Sequence, residues 1–85
     1  MERQEVYERI LPVFKKVFDH TELLISDNTV AADVENWDSL TNVVMVDAVE
    51  KEFGIKFKLR EILNMKNVGD LVSCIVEHSN NKSST

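Results

Sequence analysis

Turn-forming residues are scarce in this chain. Two glycines and one proline in 85 residues are too few for an all-β fold, which needs a turn every few residues. Cysteine is scarcer still. Cys74 stands alone, which excludes an internal disulfide and suits a reducing, cytoplasmic setting. No apolar run reaches membrane-spanning length, and the charged start (Met1-Glu2-Arg3-Gln4-Glu5) does not resemble a signal peptide, so no membrane insertion is expected. Cys74 and the two histidines show no zinc-binding pattern, and no metal is expected. Between Asp27 and Asp38 the acids are scattered, and Ala32 stands where a calcium loop needs glycine. Asn81-Lys82-Ser83 matches a glycosylation triplet without a secretory signal, and chance explains it.

Excess basic charge is also missing. The formal net charge is −5. From Asp19 to Glu52 nine acids face one base, Lys51; from Lys56 to Lys66 four bases face one acid, Glu61. So negative a middle repels phosphate backbones and argues against nucleic acid. It suits transient partners with basic docking surfaces.

What the chain has is helical periodicity. Apolar residues make up 44% of it, enough for one small core. Val6, Ile10, Val13, Phe14, Val17 and Phe18 form a stripe that predicts a helix from Glu2 to about Asp19. Pro12 should kink or break it. Residues 20–36 read as a long irregular connection anchored by Leu23, Leu24, Ile25, Val30 and Val34. Asp38 to Phe53 is the strongest helix, with Met45, Val46, Val49 and Phe53 inward, Val43 at the edge and Gly54 as the stop. A short helix from Lys58 to about Asn64 carries Leu59, Ile62 and Leu63, and a last one runs from Val68 to His78. The expectation is an all-α four-helix bundle over residues 1–78: three principal helices, a short third one and a long loop between the first two. Residues 79–85 (SNNKSST) read as a disordered polar tail.

The reactive-looking element is Trp37-Asp38-Ser39-Leu40, at the start of the second helix. Ser39 has a bland reading as a helix cap, because serine and aspartate oxygens accept from free N–H groups there. Nucleophilic catalysis would need a base beside it. The only histidines, His20 and His78, end the first and last helices. A serine hydrolase is therefore not expected. Cys74, among core residues of the last helix, reads as packing.

Asp38-Ser39-Leu40, followed by an acid-bearing helix ending Ala48-Val49-Glu50-Lys51-Glu52-Phe53-Gly54-Ile55, resembles the acyl carrier proteins. Length and helix order agree over nearly the whole chain. The resemblance implies that Ser39 receives a covalent 4′-phosphopantetheine arm, derived from coenzyme A, whose thiol carries acyl groups as thioesters. It implies a non-catalytic monomer in the cytoplasm, serving fatty-acid or related synthesis. Its partners would be a phosphopantetheinyl transferase and acyl- or ketoacyl-synthase-type enzymes. They would read Asp38, Leu40, Val43, Val44, Asp47 and Glu50 around the second helix. Val43, Met45, Ile62 and Leu63 are candidate lining for an acyl pocket between the second and third helices.

The chain departs from the family pattern in places. Asn36 replaces the usual glycine two places before Asp38, Val44 replaces a glutamate, Thr41 stands where an acid is common, and Lys56, Lys58 and Arg60 fill a usually acidic region. Trp37 reads as a partly buried anchor. These changes leave the cargo open between fatty acyl and aminoacyl, aryl or polyketide groups. A small helical interaction module without cofactor, with Ser39 only a cap, is the rival of another class.

Overall fold

The computed structural model describes residues 1–82. Its helices are α1 (Arg3–Val17), α2 (Ser39–Phe53), α3 (Leu59–Asn64) and α4 (Val68–Lys82), with one 3-10 turn (Ala31–Asp33) in the long connection. There is no strand among the described residues. α1 packs against both α2 and α4.

The 3.6-residue period does what it predicts. Val6, Ile10, Phe14 and Phe18 turn one face of α1 into the core, where they meet Met45, Val46 and Val49 of α2 and Val68, Leu71, Val72 and Ile75 of α4. Val13, Val17 and Phe53 pack at the margin of this cluster. At the far end of α2, the Arg9 guanidinium lies 4.4 Å from the Phe53 ring centroid and donates to the Glu52 carbonyl at 2.6 Å. A cation there favours the negative end of the helix.

Several sequence expectations need correction. Pro12 does not break α1, which runs through it. Pro12 and Glu8 are both exposed, so the carbonyl that loses its helical N–H partner can bond to water. Leu24, expected as an anchor, is 84% exposed, and Leu59 and Leu63 of α3 are 71% and 73% exposed. α3 is too short to bury a full face; only its Ile62 packs on the core. α4 continues to Lys82, past the expected end at His78. Residues 79–82 of the expected tail are thus helical, and residues 83–85 lie outside the described residues.

The long connection is held at its middle by the start of α4. The Val68 and Gly69 N–H groups, unpaired within their own helix, donate to the carbonyls of Thr29 (2.8 Å) and Asp27 (3.0 Å). The Asp27 carboxylate accepts from the Tyr7 hydroxyl and, at 2.7 Å, from Arg3. Burial, and then Asp27, push the Tyr7 phenol up to about 12, so it stays a donor. Leu23 and Val34 enter the core on either side of this anchor.

Gly69 makes the close approach possible. A Cβ there would lie 2.9 Å from the Asp27 carbonyl oxygen and 3.1 Å from its Cα. Alanine gains up to about 1 kcal/mol of helix propensity over glycine, but overpacking against fixed atoms costs about 1–3 kcal/mol. Gly69→Ala is therefore expected to lower the urea midpoint. A rise would show that the loop yields freely at Asp27.

Candidate functional site

Asp38, Ser39 and Thr41 divide the work at the start of α2. Asp38 is the N-cap; its Oδ1 accepts from the Leu40 N–H at 2.9 Å and the Thr41 N–H at 3.0 Å. Thr41 answers by accepting from the Asp38 N–H at 2.8 Å, and its hydroxyl donates to the Asn36 carbonyl at 2.6 Å. This is a reciprocal capping box with threonine in the usual glutamate role. The Thr41 N–H, then that of Leu40, hold the Asp38 carboxyl below its ordinary range. Ser39 is the first helical residue, exposed to solvent. Among the described residues none hydrogen-bonds to its hydroxyl. Capping belongs to its neighbour, which leaves the Ser39 oxygen available for chemistry.

The loop enters this cap through a left-handed residue. Asn36 has φ 74°, a conformation in which asparagine is among the more tolerant non-glycine residues. Its side-chain amide donates to the Phe18 carbonyl at 3.1 Å, tying the loop back to the end of α1. Next to it, Trp37 is half-buried: it stacks on Phe18 (centroids 5.3 Å, 29°) and meets Phe14 edge-on at 5.5 Å. The Trp37 indole N–H donates to Asn42 Oδ1 at 2.9 Å. The tryptophan thus fixes the approach to Ser39 from below.

A groove of about 300 Å³ opens beside Ser39. Its apolar wall is Trp37, Met45, Val46, Ile62, Met65 and Leu71; Asn42, Lys66 and Asn67 supply polar atoms. The size and mixed lining are those of a small-ligand site. Of the lining expected from sequence, Met45 and Ile62 are there. Val43 instead lines a second hollow between α2 and α3, with Asn42, Val46 and Ile62, while Leu63 lines neither and is 73% exposed. Met65, Lys66 and Asn67 went unnoticed because they lie in the link after α3, where no periodicity marks an inward residue. No cluster of metal donors is assembled at Ser39 among the described residues.

The other expected site residues spread around α2. Leu40, Val43 and Val44 are exposed apolar side chains at 79%, 66% and 56%. Asp47 is exposed but paired with Lys51 at 3.0 Å. Glu50 is half-buried, and its Oε2 accepts the Phe57 N–H at 2.7 Å. One of its oxygens is therefore already committed to the fold.

The family described as "Phosphopantetheine attachment site" matches residues 8–75. The chain belongs to that family, as an acyl carrier protein. A solution NMR structure of a holo acyl carrier protein from Geobacter metallireducens superposes with a TM-score of 0.87 at 32% identity, over 93% of this chain and 91% of that one. No curated protein matches the sequence. The family's cofactor is 4′-phosphopantetheine, and its members carry groups rather than transform them. The residues present fit such a group: an exposed, unengaged serine hydroxyl at a helix start, beside a groove with an apolar wall.

Two substitutions test the entry to the site. Asn36→Gly is expected to be nearly neutral, relief of the backbone offsetting the lost bond to Phe18. Asn36→Val should cost about 1–2 kcal/mol in chemical denaturation, because it loses the bond to Phe18 and puts a β-branched side chain where asparagine is better tolerated. Asp38 has a pH signature. Its carboxylate helps the fold above the ordinary value of 3.8, and this is lost as pH falls through the lowered native value. Asp38→Asn keeps an acceptor but has no charge to lose. Its thermal midpoint should fall less steeply on acidification than that of the unsubstituted chain.

Proposed function

We propose that Ser39 is the attachment point of the 4′-phosphopantetheine arm, and that the protein carries acyl intermediates on it as thioesters in fatty-acid or related biosynthesis. The observation that carries this reading is the free Ser39 hydroxyl, released from capping by Asp38 and set beside a groove. The cap-only rival loses its basis for the same reason.

The phosphodiester of such an arm would sit at the positive end of α2, a favourable effect of about 0.3–1 kcal/mol. Asp38 opposes it by like-charge repulsion. The arm would thus be held weakly by its own protein and free to reach partner active sites. The groove gives an attached chain somewhere to withdraw from water, at about 0.8 kcal/mol for each methylene buried.

Docking would use Asp38, Leu40, Val43, Val44, Asp47 and Glu50, with a phosphopantetheinyl transferase and synthase-type enzymes as partners in the cytoplasm. The three exposed apolar residues make this surface less purely electrostatic than an acidic one. That supports the second reading of the cargo as aminoacyl, aryl or polyketide groups. Among the described residues no helix is long and apolar enough to cross a membrane, and we propose a monomer.

Incubation with coenzyme A and a phosphopantetheinyl transferase, followed by intact mass, tests the attachment. The unsubstituted chain should gain one phosphopantetheine group and Ser39→Ala none. A gain in Ser39→Ala would move the site to another residue, and no gain with several competent transferases would remove the carrier reading. A second measurement tests the groove: the thermal midpoint of acylated forms should rise with chain length until the groove is full. A flat series would mean that the chain stays in solvent.

A further inference from the structure

Away from Ser39, one cluster has no part in the carrier chemistry. Cys74 and His78 are four residues apart on α4, so they project from one face of the helix. Glu61, in the first turn of α3, reaches the same point. Its Oε2 lies 3.3 Å from Cys74 Sγ and 2.9 Å from His78 Nε2. One ligand atom from each residue falls within 4.8 Å of the others. All three side chains are partly buried, so the point is sheltered yet reachable.

We propose that Glu61, Cys74 and His78 form a binding site for a zinc-class divalent cation that ties α3 to α4. Zinc binds thiolate sulfur at about 2.3 Å, and imidazole nitrogen and carboxylate oxygen at about 2.0–2.2 Å; in a tetrahedron those lengths put donors about 3.3–3.6 Å apart. The Cys74–Glu61 contact at 3.3 Å matches that spacing, the His78–Glu61 contact at 2.9 Å is shorter, and all three donor atoms lie within 4.8 Å, so side-chain movements of about an ångström would close the set on a cation. The set mixes a soft sulfur with imidazole and carboxylate, which suits zinc and disfavours calcium and magnesium, whose sites are built from oxygen. Three protein donors leave a fourth position for water or a partner's ligand.

Two of the donors are held in place. The Lys58 N–H donates to Glu61 Oε1 at 2.7 Å, which orients the carboxylate and leaves Oε2 toward the sulfur. The Phe57 ring, itself buried, meets the His78 imidazole edge-on at 5.5 Å. Such supporting contacts fix ligand orientation in metal sites. Without a cation, burial and then Glu61 push the Cys74 thiol up to about 12. On binding, the thiol proton passes to solvent and the cation's charge takes over the opposition to Glu61. The sequence reading expects no metal because two donors at helical spacing are not a zinc pattern; the third comes from another helix.

The consequence reaches the carrier site. α3 contributes Ile62, and the link after it contributes Met65, to the groove beside Ser39. A cation on Glu61 would restrain that wall.

Cobalt(II) is the spectroscopic probe, used with the full chain carrying Ser39→Ala so that no arm thiol is present. The expected result is a thiolate-to-cobalt charge-transfer band in the near ultraviolet and the intense visible bands of a four-coordinate ion, saturating at one equivalent and bleached by zinc. Cys74→Ser should abolish the charge-transfer band. His78→Gln should weaken cobalt binding by about tenfold or more. Zinc at 100 times its dissociation constant should raise the folding equilibrium constant about 100-fold and slow hydrogen exchange of the α3 amides. Absence of a charge-transfer band in the parent chain overturns the site, as does binding that survives both substitutions. If the variants fail to fold, the parent titration still decides. Zinc binding without slower α3 exchange would overturn the tie between α3 and α4. None of these readouts needs the arm, so they stand apart from the mass test of Ser39.

Discussion

A helix start leaves its first N–H groups without partners, and something nearby has to accept from them. At α2 that duty falls on Asp38, one residue before Ser39. Had Ser39 been the cap, its oxygen would be engaged by the backbone, and modification would cost the helix its first hydrogen bonds. Because Asp38 caps, Ser39 can change chemically while the helix stays satisfied. The rest of the site is arranged to hold this register. Thr41 closes the box from within, Asn36 supplies the left-handed step into it, and Trp37 seats the loop on Phe14 and Phe18. An acid before the serine is thus a structural need of the helix start.

Periodicity made the helices legible, because a stripe at 3.6 residues has few other uses in so short a chain. It could not judge how deep each stripe sits. Leu59 and Leu63 have the same spacing logic as the core residues of α4, yet α3 is one and a half turns long and lies at the edge, so they face solvent. For a related reason Pro12 does not end its helix: the cost of a missing N–H depends on which side of the helix loses it, and that is a property of packing. Gly69 and Asn36 carry backbone constraints set by contacts with Asp27 and Phe18, far away in sequence. The motif at Ser39 was legible; the groove beside it was not, because Met65, Lys66 and Asn67 of its lining lie in a link with no period. Glu61, Cys74 and His78 were not legible as a group, because Cys74 read as packing and His78 as a helix end, while Glu61 comes from another helix.

The charge pattern also reads differently in three dimensions. The sequence gathers acids around Ser39, but several are already occupied. Asp38 serves the cap, Glu50 binds the Phe57 N–H, Asp47 pairs with Lys51 and Asp27 with Arg3. The exposed pairs lower the field a partner meets without adding much stability. Meanwhile Leu40, Val43 and Val44 remain uncovered on α2. A partner would therefore gain less from long-range steering, which salt screens, and more from apolar contact, which salt does not weaken in the same way.

α3 is the shortest α-helix among the described residues. None of its residues is fully buried, so of the helices around the groove it contributes least to the core and gives way most readily to local opening. It nevertheless supplies Ile62 to the wall beside Ser39. Under the proposed function, a groove with one firm side, from α2 and α4, and one yielding side would widen for a longer chain without disturbing the core of α1, α2 and α4. Whatever holds Glu61 sets how readily that side yields. In this chain the holders are His78, Cys74 and the Lys58 N–H, and so the end of α4 bears on a site at the start of α2 that it never touches.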